Sequence, residues 1–145
     1  MIWGRFSIED DNVDYPCGFD IALCNKWKSP KITFILGDGS ASKYSIKTIG
    51  DKTGASGATG KSAVKIVRNS GHSKINYFTI EINKQQKGFL YSIYVGQNPE
   101  FTTDDLVHQR QLDTFNSDSF HINIKLWKSG TLRLYDFGIR EGIFD

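Results

Sequence analysis

The segment FHINIKLWKSGTLRLYDFG, residues 120–138, decides the fold class. Apolar and polar residues alternate on both sides of Lys128-Ser129-Gly130, and a period of two residues is typical of a β-strand. A glycine at the end of such a short turn can adopt the left-handed backbone that closes a three-residue hairpin loop. The segment therefore predicts two antiparallel strands joined by a tight turn.

The apolar residues also indicate a register for this hairpin. A three-residue loop sets Leu126 opposite Leu132, whereas a two-residue loop sets Leu126 opposite Arg133 and loses the apolar match. In the preferred register Phe137 lies at the end of a face that is aromatic and polar. The candidate ligand-binding residues on that face are His121, Asn123, Lys125, Trp127, Arg133 and Tyr135.

Segments of the same kind recur along the whole chain, separated by turn residues. The predicted strands are 2–8, 19–23, 32–36, 44–49, 63–68, 75–82, 89–95, 120–127 and 131–137. Little helix separates them, which favours a sandwich or barrel over alternating strands and helices. We therefore predict an all-β fold, a single domain over residues 1–145. It is an antiparallel two-sheet β-sandwich of jelly-roll or lectin-like type, with about nine strands and at most one short helix near 103–113.

The pattern of residues 120–138 resembles the late hairpin of galectin-like and laminin-G-like jelly rolls. The resemblance covers about 20 residues and implies the fold class alone. Galectins carry His, Asn, Arg and Trp on neighbouring strands, and that signature has no residue-by-residue match in this chain. No binding residue is therefore carried over from the family.

The expected core consists of the apolar residues on one face of each strand. These are Phe6, Ile8, Phe19, Ile21, Leu23, Ile32, Phe34, Leu36, Tyr44, Ile46, Phe78, Ile80, Ile82, Phe89, Tyr91, Ile93 and Val95, with Ile122, Ile124, Leu126, Leu132 and Leu134 from the hairpin. Replacing a buried leucine such as Leu134 by alanine is expected to cost roughly 2–5 kcal/mol of stability.

Composition argues against several partners. The net charge is +2, and the 18 basic residues are dispersed among 16 acidic ones, so no nucleic-acid surface is predicted. No apolar run is long enough to span a membrane, and residues 1–5 lack the apolar stretch of a secretory signal.

Cys17 and Cys24 lie on opposite faces of one predicted strand, too far apart for a disulfide. Two free thiols favour synthesis in the cytoplasm, while the final localisation stays open.

Residues 55–62, ASGATGKS, match a relaxed phosphate-loop pattern. That chemistry needs a helix directly after the loop, and the alternating segment 63–68 leaves no room for one. A flexible surface loop over residues 50–62 fits better. A nucleotide-dependent enzyme that uses Gly60, Lys61 and Ser62 is thus the weakest of three hypotheses.

No other motif predicts catalysis, a metal or a cofactor. The acidic residues in question do not have the spacing of a calcium loop: Asp10, Asp11, Asp14, Asp104 and Asp105. The histidines have no metal-ligand spacing: His72, His108 and His121. We therefore predict a protein that is not an enzyme and needs no cofactor.

The aromatic and polar face of the predicted hairpin indicates a binding function. Flat rings cover the C–H face of a pyranose, while amide, guanidinium and imidazole groups bond its hydroxyls. This chemistry predicts a non-catalytic, lectin-like recognition domain that binds a glycan or a protein surface. The alternative is a structural subunit, capsid-like or occlusion-type, that forms a homo-oligomer and buries its aromatic residues between copies.

Overall fold

The computed structural model describes residues 1–10, 18–25, 29–40, 43–50, 54–59, 66–71, 73–112, 121–127 and 130–140. Within these ranges the strands are β1 (Ile2–Asp10), β2 (Gly18–Asn25), β3 (Ser29–Ser40), β4 (Lys43–Gly50), β5 (Gly54–Thr59), β6 (Asn76–Lys84), β7 (Phe89–Gly96), β8 (Leu106–Leu112), β9 (His121–Trp127) and β10 (Gly130–Ile139). A short 3-10 turn, Thr103–Asp105, precedes β8. None of these ranges holds a helix with the length and apolar character needed to cross a membrane.

The strands form two antiparallel sheets of five strands each. Sheet A has the order β10-β1-β6-β7-β8, and sheet B has the order β5-β4-β3-β2-β9. The side chains between the sheets are in contact: the rings of Phe6 and Phe19 lie 4.8 Å apart, edge to face. The prediction of an all-β, two-sheet sandwich is confirmed.

The core lies between the sheets and contains most of the predicted residues. Those found buried are Phe6, Ile8, Phe19, Ile21, Leu23, Phe34, Leu36, Phe78, Ile80, Tyr91, Ile93 and Val95. Ile82, Phe89, Ile122, Leu126 and Leu132 pack against them and are partly buried. The side chains of Ile32, Tyr44 and Ile46 lie outside the described part of the chain. Each large apolar side chain that is fully buried contributes about 1.5–3 kcal/mol before the entropy cost of ordering it.

The predicted hairpin of residues 120–138 does not exist, and that prediction is wrong. β9 pairs with β2 in sheet B, where Ile124 lies opposite Ile21. β10 pairs with β1 in sheet A, where Leu134 lies opposite Phe6. Alternation fixes which residues of a strand share a face, but it does not identify the partner strand. β1 and β2 offer apolar partners as good as those of the local hairpin, and β9 and β10 lie in different sheets.

Two members of the expected core are exposed as a result. Ile124 is 38% exposed and Leu134 is 37% exposed, although both occupy inward-facing positions. Each lies on an edge strand, where half of the surroundings of a side chain are missing. Their predicted place in the core is therefore wrong.

A β-bulge in β10 reverses the expected orientation of Phe137. Arg5 lies opposite Asp136 and Phe6 lies opposite Leu134, so Tyr135 is an extra residue in the ladder. An extra residue shifts all later side chains to the other face. The Phe137 ring thus faces the core, 6.5 Å from the ring of Phe78, and not the aromatic and polar face predicted for it.

Two strands form where the sequence predicted none. β5 lies in the small-residue segment expected to be a loop, and β8 occupies most of the segment expected to be a helix or loop. β5 has no alternation to detect, and a bulge at Val107 interrupts the alternation of β8. Of the expected strand 63–68, residues 66–68 are not in a strand. Residues 63–65 lie outside the described part.

Candidate functional site

The outward-facing positions of sheet A bring aromatic and charged side chains together. Strand alternation buries Ile2 and Phe6 and turns Trp3 and Arg5 outward. Across the sheet, Trp3 lies beside Thr79 of β6, and Arg5 lies beside Tyr77. This row of neighbours forms the floor and one side of a depression.

The depression is a groove of about 710 Å³. Residues 97–105, which connect β7 to β8, contribute Phe101 to its second side. We call it the sheet A groove and define it by Trp3, Arg5, Tyr77, Glu81, Phe101 and Asp136. Its volume lies within the range of about 300–1,000 Å³ that small-molecule sites occupy.

Trp3 forms one wall of the groove and rests on Gly138 of β10. A β-carbon at position 138 would lie 2.3 Å from Trp3 Cζ2 and 2.4 Å from Cε2, so only glycine permits this contact. The indole is nevertheless 39% exposed. The glycine thus holds a large aromatic ring at the surface while leaving part of it open to a ligand.

The opposite wall is Phe101, which is fixed by contacts with β7 and within residues 97–105. The Phe101 ring packs on Tyr94 of β7 with their centroids 6.0 Å apart. The backbone N–H of Thr102 donates to Asp105 Oδ2 at 2.8 Å, and Asp105 N–H donates to the Thr102 carbonyl at 3.1 Å. The ring of Phe101 is therefore held against β7, and the chain directly after it is fixed by the Thr102–Asp105 bonds.

An ion pair lies at one end of the groove. Arg5 Nη2 is 2.6 Å from Asp136 Oδ2, with the two side chains 38% and 48% exposed. Partial burial acts to lower the pKa of Arg5, but the charge of Asp136 and hydrogen bonds to Tyr77 and Asp136 outweigh it and raise that pKa. The guanidinium remains charged and is held in one orientation.

A carboxylate, Glu81 of β6, lies among the remaining lining residues. Burial raises the pKa of Tyr94, and the negative charge of Glu81 raises it further. Glu81 forms no ion pair in the part of the chain that the structure describes. Its carboxylate shares this groove with the terminal ammonium of Met1, which donates to the Arg140 carbonyl at 2.8 Å.

The structure divides the predicted binding residues between two surfaces. Arg133 and Tyr135 belong to the outer face of sheet A, where Arg133 Nη1 lies 3.2 Å from Glu9 Oε1 and Tyr135 Oη lies 3.2 Å from Ser7 Oγ. Asn123 and Lys125 are exposed on the outer face of sheet B, opposite Ala22 and Asp20 in the ladder.

The other two predicted residues, His121 and Trp127, occupy backbone positions opposite Cys24 and Gly18 in β2. Their side chains lie outside the described part. The six residues therefore do not form one face, because β9 and β10 belong to different sheets. Whether any of them binds a ligand stays a prediction.

The structure describes only some of the other residues considered as metal, thiol or nucleotide sites. The described residues hold no group of three His, Cys, Asp or Glu side chains arranged to bind a metal. Asp104 and Asp105 lie in the 3-10 turn. The segments with Cys17, with Gly60 to Ser62 and with His72 lie outside the description.

The residues of the sheet A groove were missed from sequence. In β1 the alternation of Trp3 and Arg5 with Ile2 and Phe6 was a usable signal for two of them. The alignment of β1 with β6, and the position of Phe101 above β7, depend on pairing between distant segments and have no local signal.

Comparisons with known proteins do not assign this chain to a family. Neither protein-family models, nor curated proteins, nor solved structures give a match to this chain. The chemistry of the sheet A groove is therefore the basis for a function.

Proposed function

We propose that this chain is a non-catalytic, lectin-like recognition domain that binds carbohydrate in the sheet A groove. The observation that carries the proposal is Trp3, an indole 39% exposed and held against Gly138 within a groove of about 710 Å³. An exposed aromatic face fits the apolar C–H face of a sugar ring. Tryptophan and tyrosine side chains combine an apolar body with a polar group and are therefore enriched at binding surfaces.

The polar lining supports the same ligand. A sugar hydroxyl both donates and accepts, and the groove offers the guanidinium of Arg5 beside the carboxylate of Asp136 and the hydroxyl of Tyr77. Arg5 is already oriented by its partners, so little side-chain entropy is lost when a ligand binds. The proposal keeps the aromatic and polar chemistry that the sequence indicated and places it on sheet A.

Replacing Trp3 by alanine tests this proposal. A glycan array on the wild-type protein identifies ligands, and calorimetric titration then gives their dissociation constants. Trp3→Ala is expected to weaken binding at least about tenfold, equivalent to about 1.4 kcal/mol. Because Trp3 is on the surface, thermal unfolding should show that the variant still folds.

Lys125→Ala is the matched control, since Lys125 is exposed on the outer face of sheet B. Its affinity should equal that of the wild type. If Trp3→Ala binds unchanged while Lys125→Ala loses affinity, the binding face is on sheet B and the proposal is wrong.

A second candidate, a self-assembling subunit, is favoured by the edge strands β9 and β10. Within the described residues each of them pairs on one side only. Ile124, Leu134 and Ile139 are 38%, 37% and 60% exposed along them. An unpaired edge with exposed apolar side chains can add the same strand of a second copy by two-fold symmetry.

Light scattering after size-exclusion chromatography tests this second candidate. If the chain self-assembles through this edge, the wild-type protein is an oligomer. Leu134→Lys is then a monomer, because a charge on the edge opposes strand pairing. Lys84→Ala, an exposed change at the end of β6, should leave the oligomer intact. A wild-type protein that stays monomeric at millimolar concentration would eliminate the candidate.

A further inference from the structure

The sheet A groove follows the direction of the strands. Its lining residues on β6 include Tyr77, Thr79 and Glu81, which are alternate positions and therefore face the same side of the sheet. On β1, Arg5 lies opposite Tyr77 and Trp3 lies opposite Thr79. The groove is thus built from successive pairs of side chains along two neighbouring strands, and each pair lies about 7 Å from the next.

A second depression continues the groove beyond Glu81. It has a volume of about 330 Å³ and is lined by Met1, Glu81, Ile82 and Asn83. Met1 and Glu81 line both depressions, so the two adjoin. Asn83 lies two residues beyond Glu81 on β6 and therefore on the same face of the sheet. From Tyr77 to Asn83 the combined surface extends about 20 Å along the strand.

A single sugar ring occupies only part of this length. A pyranose with its hydroxyl groups covers roughly one step of about 7 Å between alternate strand residues. We infer that the groove and the second depression together bind a linear oligosaccharide chain of about three or four residues, laid parallel to β6, rather than one terminal sugar. This inference rests on the proposed function, since it specifies the ligand of the same groove.

The lining groups suit consecutive sugar residues. The indole of Trp3 offers an apolar face to one ring. Arg5 and Tyr77 provide a guanidinium and a phenol hydroxyl one step to one side, and Asn83 provides an amide two steps to the other side. A covalently linked chain brings each further residue to its position at a high effective concentration, so contacts that are weak alone add to the affinity.

Oligosaccharides of increasing length test the inference. A linear glycan that binds on the array is prepared as a series from one sugar residue to six, and each member is titrated by calorimetry. Affinity should rise at least about threefold with each residue up to three or four residues. It should then stay constant, because further residues extend past the lined surface.

Asn83→Ala assigns the far end of the chain to a residue. The change removes an amide from the second depression, and Asn83 is not among the residues that line the groove around Trp3. The tetrasaccharide should therefore bind at least about threefold more weakly, while the disaccharide should bind as it does to the wild type. Lys84→Ala is the control, because Lys84 is exposed and its position in β6 faces the other way. It should leave the affinity for both ligands unchanged.

The results that would overturn the inference differ in what they say of the proposed function. A monosaccharide that binds as tightly as the tetrasaccharide, and still requires Trp3, would refute the extended site and leave a single-sugar site standing. Wild-type affinity of Asn83→Ala for the tetrasaccharide would show that the chain does not reach the second depression. Absence of binding to every glycan on the array would refute the proposed function and the inference together.

Discussion

Trp3 stays at the surface because of the residue beneath it. Its indole occupies the space where a side chain at position 138 would begin, with Cζ2 2.3 Å from the position of a β-carbon. Gly138 pairs with Trp3 in the ladder between β1 and β10, so the contact is fixed by the register of the sheet. The shape of the proposed binding surface therefore depends on a residue that contributes no functional group.

Gly138→Ala should displace the indole from this position. A methyl group cannot fit under the ring, but the exposed ring can rotate away without disrupting the core. We expect thermal stability close to wild type and a loss of glycan affinity of about tenfold, measured by calorimetry. Thr131→Ala, an exposed change in the same strand, is the control and should bind normally. Wild-type affinity in Gly138→Ala would show that the indole position does not matter for binding.

At the scale of the strands, the alternation of apolar and polar residues predicted which side chains face the core. The inward-facing residues of β6 and β7, and Phe6 and Ile8 of β1, were assigned correctly because a strand with one buried face must alternate, while the buried Ile2 was left out. The bulge at Tyr135 was not predicted, since an extra residue is visible only against the partner strand. β5 was missed because its glycine, alanine and serine residues form a strand only through pairing with β4.

The larger error was the predicted pairing of β9 with β10, and it has a physical cause. Leu126 and Ile124 find equally apolar partners in Phe19 and Ile21 of β2 as they would in the next strand of the chain. A short connection favours the local hairpin through its low loop-closure entropy. Burial of the apolar side chains of β9 and β10 between the two sheets outweighs that entropy advantage. The alternation pattern of the sequence does not show how much apolar surface each pairing buries.

Two alanine substitutions distinguish a central strand from an edge strand. Ile93 in β7 is fully buried, whereas Leu134 in β10 is 37% exposed. Ile93→Ala is expected to lower the free energy of unfolding by roughly 2–5 kcal/mol, because it leaves a cavity in the core. Leu134→Ala should cost only about 1 kcal/mol, since its surroundings are already partly solvent. Urea denaturation measures both, and equal losses would indicate that Leu134 is a core residue.

At the scale of the whole molecule, topology decides which functional groups meet. Sending β9 to sheet B and β10 to sheet A places Asn123 and Arg133 on outer faces that belong to different sheets. The same arrangement brings the first strand, β6 and the 97–105 connection around one groove. The alternation in residues 120–138 predicted aromatic and polar recognition chemistry, but the location of the groove proposed for it depends on long-range strand pairing.

Nuclear magnetic resonance titration with an oligosaccharide from the array shows which face of the protein binds the sugar. If the sugar binds in the sheet A groove, the signals of the Trp3 indole N–H and of the Tyr77 and Glu81 backbone amides shift, while those of Asn123 and Lys125 remain unchanged. Shifts centred on Asn123 and Lys125, with Trp3 unaffected, would contradict the assignment of the sheet A groove as the carbohydrate site.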